Sequence, residues 1–405
     1  MSFETILHNA NISTNAAPSF VEAVAISDEK MIATGTDEEI LRLRGPATRV
    51  IDTEGQTVIP GLNDSHLHLI RGGPNYNMKL RWDGVPSLAG ALRMLKEQAA
   101  RTPAPQWVRV AGGWTESQFA ERRTPTLDDI NAAAPDTPVF VLHLYDRVLS
   151  NGAALRAVVY TKDVPDFPAG EVQRDSRGNP TGLLIAKPNA NILYATLAKG
   201  PKLSREGQLN SFRHFFRELN CFGITSAIDA GGGFHNYPDE YGVLNELHRN
   251  GLMSVRIAYN LFTQKPKQEL QDCQNWTKMT KAGEGDDFYR VNGAGEMLVF
   301  SAADFEDFVV ARPDMLAVME GELEAVIRHL VKNRWPFRLR APNVYEAVNR
   351  EVPFDSPHWF FDHYETISDR NLERVKKLGG GIAVQNRMAF QGEYFVDRYG
   401  VREAE

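Results

Sequence analysis

Between residues 205 and 385 the chain alternates helix-like with strand-like runs, and this alternation limits its folds more than any other feature. Apolar residues recur at helical spacing over 205–219, 237–250, 320–333 and 369–378. Interleaved with them are Gly223-Ile-Thr-Ser-Ala-Ile-Asp229, Val255-Arg-Ile-Ala-Tyr-Asn260, Phe288-Tyr-Arg-Val-Asn292, Pro336-Phe-Arg-Leu-Arg-Ala341, Trp359-Phe-Phe-Asp-His363 and Gly381-Ile-Ala-Val-Gln385, all short and rich in β-formers. Parallel strands need a crossover, which a helix supplies, so such repeats predict a parallel sheet with helices outside it. A further strand at Val58-Ile-Pro-Gly-Leu-Asn-Asp-Ser-His-Leu-His-Leu69 brings the number to about seven, one short of a closed eight-stranded barrel. The expected class is α/β: an incomplete (β/α)8 TIM-like barrel.

Two other regions read differently. Residues 1–58 hold short strand patterns (Thr5-Ile-Leu-His-Asn-Ala, Val24-Ala-Ile, Met31-Ile-Ala-Thr, Val50-Ile-Asp) punctuated by Gly35, Gly45 and Gly55. That spacing predicts a small antiparallel sheet, the N-terminal half of a small β-sandwich. Residues 59–405 form the barrel, interrupted at 71–202 by one long insertion. Within the insertion, 88–102 predicts a helix, while Trp107-Val-Arg-Val-Ala and Val139-Phe-Val-Leu-His predict strands. Asp166-Phe-Pro-Ala-Gly and Asp175-Ser-Arg-Gly-Asn-Pro-Thr-Gly predict turns.

His66 and His68 carry the strongest chemical signal. Histidines at i and i+2 on a strand share a face, because successive side chains alternate. Two imidazoles projecting together can ligate one cation. The pair closes an apolar run, follows a Pro-Gly turn and has Asp64 two residues before it. Other classes of function are disfavoured. Two cysteines, Cys221 and Cys273, make no disulfide scaffold or Cys-x-x-Cys motif. A net charge of −7 without basic blocks argues against a nucleic-acid or anionic-membrane partner. No apolar run approaches the ~20 residues of a membrane span, and no signal peptide is evident at the start, so a cytoplasmic address is expected. The expected partner is a small-molecule substrate, and a homo-oligomer is left open.

Taken together, Asp52-Thr-Glu-Gly-Gln-Thr-Val-Ile-Pro-Gly-Leu-Asn-Asp-Ser-His-Leu-His68, Gly112-Gly-Trp114, Asp175-Ser-Arg-Gly-Asn-Pro-Thr-Gly182, Gly223-Ile-Thr-Ser-Ala-Ile-Asp229 and Asp362-His363 resemble the amidohydrolase superfamily, specifically amidohydrolase family 3. The resemblance runs over nearly the whole chain. It implies a distorted (β/α)8 barrel holding one or two divalent metals, zinc first, at the carboxyl ends of its strands, with a small β-sandwich beside it. It also implies hydrolysis of an amide, another non-peptide C–N bond or an ester by metal-activated water. Under it, His66 and His68 match two imidazole ligands and His363 a third, a packed or surface histidine being the alternative for His363.

Elsewhere the chain departs from the family pattern. The fourth strand should bring a carboxylated lysine or an acidic bridge; Tyr289-Arg-Val-Asn-Gly-Ala-Gly-Glu296 has no lysine there, and Glu296 reads equally as an oxygen ligand or a surface glutamate. The fifth strand offers Arg340 where a histidine is expected, and a guanidinium cannot bind a cation, which leaves it a substrate contact. An aspartate on an eighth strand is not reached before Glu405, so a truncated C-terminus is expected and no catalytic acid/base is assigned. Lys187 is a candidate metal bridge if carbamylated, or else a substrate contact, against an ordinary lysine of the insertion. Asp229 and His235, around the glycine run after the second strand, and Trp114 are candidate substrate contacts; Trp114 reads nearly as well as core. His143 and Arg147 are weaker candidates. The departures favour a competing reading, a catalytically impaired or truncated barrel that binds a ligand or partner without turnover. A sugar-isomerase-like barrel would need carboxylates at several strand ends, and Asp229 with Asp362 is no convincing set.

Overall fold

In the computed structural model seven strands form one sheet, in the order Gly381–Ala383, Trp359–Asp362, Phe337–Arg338, Tyr289–Ala294, Arg256–Leu261, Ile224–Asp229, Leu62–Leu67. The described residues are 3–144, 146–162, 170–186, 190–233, 235–302, 316–338, 342–354, 358–362, 367–384 and 388–404. Neighbours from Ile224–Asp229 through Gly381–Ala383 pair in parallel. Helices lie between them, at Gly242–Arg249, Glu269–Met279, Ala317–Lys332, Pro342–Glu351 and Asp369–Lys377, as the alternating pattern requires. Glu269–Met279 and Pro342–Glu351 were not anticipated.

The helices are held by burial of one stripe. Ala317–Lys332 buries Leu323, Val326, Ile327, Leu330 and Val331, the i, i+3, i+4, i+7, i+8 spacing of a helix face turned to a core. These join Phe337, Tyr345, Trp359 and Phe361 in one apolar cluster, with Tyr345 stacked on Trp359 at 4.6 Å between ring centroids. At about 25 cal/mol per Å2, such aromatic burial dominates the local energetics.

The insertion is more regular than its composition suggests. It carries a six-stranded sheet ordered Glu171–Arg174, Pro180–Ile185, Arg147–Ser150, Val139–His143, Val108–Val110, Lys79–Leu80. Its last three strands pair in parallel and the rest antiparallel. The expected turn at Asp175 is the tip of a hairpin, where Asp175 Oδ1 accepts from the backbone N–H groups of Arg177 and Asn179, both at 2.8 Å. The helix Leu88–Arg101 starts one residue after its cap Ser87, whose hydroxyl accepts from Gly90 N at 3.1 Å.

The chain divides into two compact units, Met1–Asn63 and Asp64–Glu405. In the first, strands order as Lys30–Gly35, Ala23–Ser27, Thr5–His8, Arg49–Asp52 in one sheet and Phe20–Val21, Asn11–Ser13, Thr57–Val58 in another. The expectation of a purely antiparallel sheet needs correcting. Hairpin neighbours are antiparallel, but Thr5–His8 with Arg49–Asp52 and Asn11–Ser13 with Thr57–Val58 are parallel. The roughly 40 residues between each such pair give the chain room to return in the same direction. Among the described residues no helix is long and apolar enough to cross a membrane.

Candidate metal centre

His66 and His68 converge at the end of Leu62–Leu67, their rings edge-to-face with centroids 5.0 Å apart and their Nε2 atoms 3.3 Å apart. Each Nδ1 faces an acceptor: Asp362 Oδ1 at 3.0 Å from His66 and Gly231 O at 2.8 Å from His68. Burial, seconded by the Arg71 charge and opposed by Glu296, pushes His68 down to about 4, so its ring is neutral near pH 7. A neutral ring has one N–H, and the Gly231 carbonyl, which can only accept, claims it at Nδ1. The Nε2 lone pair of His68 therefore points at Nε2 of His66, whose own Nδ1 is turned to a carboxylate. Glu296 Oε2 lies 3.1 Å from His68 Nε2.

The Nε2 lone pair of His68 and the Glu296 carboxylate oxygen, 3.1 Å apart, repel unless a cation or a proton lies between them. One ligand atom from each of His66, His68 and Glu296 falls within 4.8 Å of the others. Ligands bonded to zinc at ~2.0–2.1 Å in a tetrahedron sit about 3.3–3.4 Å apart, matching the 3.3 Å between the imidazole nitrogens. The Gly231 carbonyl behind His68 fixes its tautomer, as metal-binding histidines generally require, and the Asp362 carboxylate stands 3.0 Å behind His66. The residues present fit a divalent ion.

Local backbone bonding explains why these groups meet. Asp229, fully buried at the end of Ile224–Asp229, accepts from Leu69 N and Ile70 N at 3.1 Å each and from Gly231 N at 3.0 Å. Burial pushes its carboxyl up to about 6, against those three N–H groups and Arg71, which favour the ionised form. Ala230 N donates to Leu67 O at 2.7 Å, and Glu296 N donates to Ala230 O at 3.2 Å. One loop thus laces the histidine strand to the end of Tyr289–Ala294. Gly231 has φ +81°, and a Cβ there would lie 2.8 Å from Asn260 O. Only glycine lets its carbonyl turn back onto His68.

Sequence candidates divide accordingly. His66, His68 and Glu296 are brought together. Asp229 is spent on the backbone, so a substrate-binding role is replaced by a structural one. Trp114 is not a pocket wall: it is 1% exposed, packs against Trp82 and Phe119, and donates Nε1–H to Leu142 O at 3.0 Å. His235 is partly buried, its Nδ1 4.0 Å from Glu240 Oε2, and burial pushes its ring down to about 4. His143 bridges Glu116 at 2.9 Å and Asp146 at 3.0 Å inside the insertion, with Arg147 on Asp146. Burial pulls the His143 imidazole down, but its bonds to Asp146 and Glu116 outweigh it and leave it raised. Lys187, Arg340 and His363 lie outside the described residues. The contact of Asp362 with His66 was missed, although an aspartate ending an apolar strand beside a candidate ligand was a signal available in the sequence.

Residues 49–405 match a family model described as "Amidohydrolase family". Among curated proteins, YtcJ of Bacillus subtilis is 34% identical over 176 residues, 43% of this chain and 33% of that protein. An N-substituted formamide deformylase of Arthrobacter pascens is 30% identical over 195 residues, 47% of this chain and 36% of that protein. The chain spans about a third of the length of these two relatives in the matched segments. Among solved structures, an uncharacterized metal-dependent hydrolase from Pyrococcus furiosus superposes with a TM-score of 0.66 at 19% identity, covering 98% of this chain and 80% of that one. The likeness to that structure is one of fold: an α/β architecture with a separate small β-sheet unit.

Proposed function

Because this chain belongs to the amidohydrolase family, we propose that it is a metal-dependent hydrolase that cleaves an amide or other non-peptide C–N bond, or an ester, of a small molecule. We read its seven-stranded sheet as seven strands of a distorted (β/α)8 barrel with the site at their carboxyl ends. His66, His68 and Glu296 hold a divalent ion, zinc first, and His363, next in sequence to Asp362, is a further candidate ligand. One observation carries the reading: two imidazole Nε2 atoms 3.3 Å apart, one of them 3.1 Å from a carboxylate oxygen, with both Nδ1 positions facing acceptors.

Bound there, zinc supplies Lewis acidity that makes water nucleophilic near neutral pH and polarises a carbonyl. The chain's own residues prepare for this. The Gly231 carbonyl holds the Nδ1 proton of His68, so that ring presents Nε2, and the Asp362 carboxylate stands 3.0 Å from His66 Nδ1. Asp229 fixes the backbone of Leu69, Ile70 and Gly231 and thereby the position of His68. Glu296 stands where the sequence shows no fourth-strand lysine, which weakens the catalytically impaired alternative. N-substituted formamides are the substrates named for one relative, and formamides, N-acyl amino acids, lactams, hydantoins and aryl esters form the first substrate panel.

The test is hydrolysis by the zinc-reconstituted chain against the same protein stripped with chelator. Expected are about one bound equivalent of zinc and turnover of at least one panel class, lost on stripping and restored by zinc. Zinc below about a tenth of an equivalent, or turnover indifferent to stripping, contradicts the reading.

A further inference from the structure

Two cations in the insertion, Lys79 and Arg109, pair with no carboxylate among the described residues. Lys79 and Arg109 are register partners on the parallel strands Lys79–Leu80 and Val108–Val110, so their side chains leave the same face of the sheet. Lys79 Nζ donates to Gly72 O at 3.0 Å. Arg109, only 8% exposed, donates Nη2–H to Pro201 O at 3.4 Å. Both acceptors are neutral carbonyls. Among the described residues no carboxylate pairs with either cation; Asp83, the acid nearest in sequence, is taken by Arg81 at 3.0 Å.

A buried charge without a counter-ion is costly, and proteins normally pair such groups. Burial first, then Arg109, Arg71 and Arg81, pushes the Lys79 ammonium down to about 7. The backbone beside both head groups is bare. A Cβ on Gly72 would sit 3.5 Å from Lys79 Nζ, and one on Gly200 would sit 3.5 Å from Arg109 Nη2. Arg71 links this group to the metal centre: it lies three residues beyond His68, its guanidinium 4.7 Å from the Tyr194 ring centroid, and its charge acts on His68 as well as on Lys79.

We propose that Lys79 and Arg109, with Arg71 on the side of the metal centre, form a subsite for an anionic group, the carboxylate of a small-molecule substrate. This rests on the hydrolase reading above and narrows its substrate class to acids. A carboxylate there accepts from the ammonium and the guanidinium, charge-assisted bonds that neither group makes to a carboxylate among the described residues. It also raises the Lys79 ammonium, so at pH 8 binding draws a proton from the buffer.

The probes are N-acetylglycine, its carboxamide N-acetylglycinamide, and inorganic phosphate. Binding to the full chain is measured by titration calorimetry at pH 8 in two buffers of different ionisation enthalpy. Wild type, Lys79→Met, Lys79→Arg and Arg109→Gln are compared, each zinc-loaded and metal-stripped. Expected for wild type is binding of the acid about tenfold or more tighter than the amide, with proton uptake. Lys79→Met loses the preference and the uptake, Arg109→Gln loses the preference, and Lys79→Arg keeps the preference, all at unchanged zinc content and melting temperature. Equal affinity for acid and amide, absence of binding by both, or a preference that survives both Lys79→Met and Arg109→Gln overturns the subsite. Phosphate binding that depends on Lys79 without any acid-over-amide preference overturns it too, marking a site for a free anion. The stripped arm keeps the two readings apart: acid preference there supports the subsite even where zinc-dependent hydrolysis fails.

Discussion

His68→Ala lowers bound zinc from about one equivalent to below about a tenth after dialysis against micromolar zinc. Any zinc-dependent kcat/KM falls with it by about a thousandfold or more. The loss is this large because His68 supplies the Nε2 atom nearest both His66 Nε2, at 3.3 Å, and Glu296 Oε2, at 3.1 Å. Without it two ligands remain among the described residues. His66→Ala behaves alike. Asp362→Asn is graded, because it alters what His66 Nδ1 meets at 3.0 Å and leaves Nε2 in place. Metal affinity there falls about 10- to 100-fold. Metal analysis and initial rates on the same preparations check the series, and unchanged zinc retention in His68→Ala would refute the ligand assignment.

Asp229→Ala destabilises the metal-free protein by about 3 to 6 kcal/mol, the cost of leaving three buried N–H groups without an acceptor. Those groups are Leu69 N, Ile70 N and Gly231 N, all within 3.1 Å of the carboxylate. Asp229→Asn loses less. Its carbonyl oxygen can serve Leu69 N and Gly231 N, while its amide meets Ile70 N donor to donor. Urea unfolding of the chelator-treated chain gives the values without any contribution from bound metal. A loss under about 1 kcal/mol for Asp229→Ala would show that this aspartate does not brace the loop, and would reopen a substrate-facing role for it.

The parallel sheet was legible because strand-like runs recur from residue 205 onward with helical patterns between several of them, although the helices Glu269–Met279 and Pro342–Glu351 were not read, and parallel strands leave few ways to connect them. His66 and His68 were legible because their spacing is local. Glu296 was not: it meets His68 only through the loop that runs from Asp229 to Gly231, and nothing within Tyr289–Glu296 separates a ligand from a surface acid. The parallel partners of Thr5–His8 and Asn11–Ser13 lie some 40 residues downstream, beyond any local pattern. Strands of two residues, such as Lys79–Leu80, carry no period at all. Lys79 went unremarked because a lysine reads as solvated by default, and its partial burial arises from pairing with a strand 30 residues on. Trp114 could have been wall or core from sequence alone. The Leu142 carbonyl, which satisfies its indole N–H, decides for core.

Crystals of the chain soaked in zinc and measured on both sides of the zinc absorption edge test the central claim most directly. The expected result is an anomalous peak about 2.0–2.1 Å from Nε2 of both His66 and His68 and within about 2.2 Å of a Glu296 carboxylate oxygen. A protein saturated with zinc whose anomalous peaks all lie away from these two rings would contradict it.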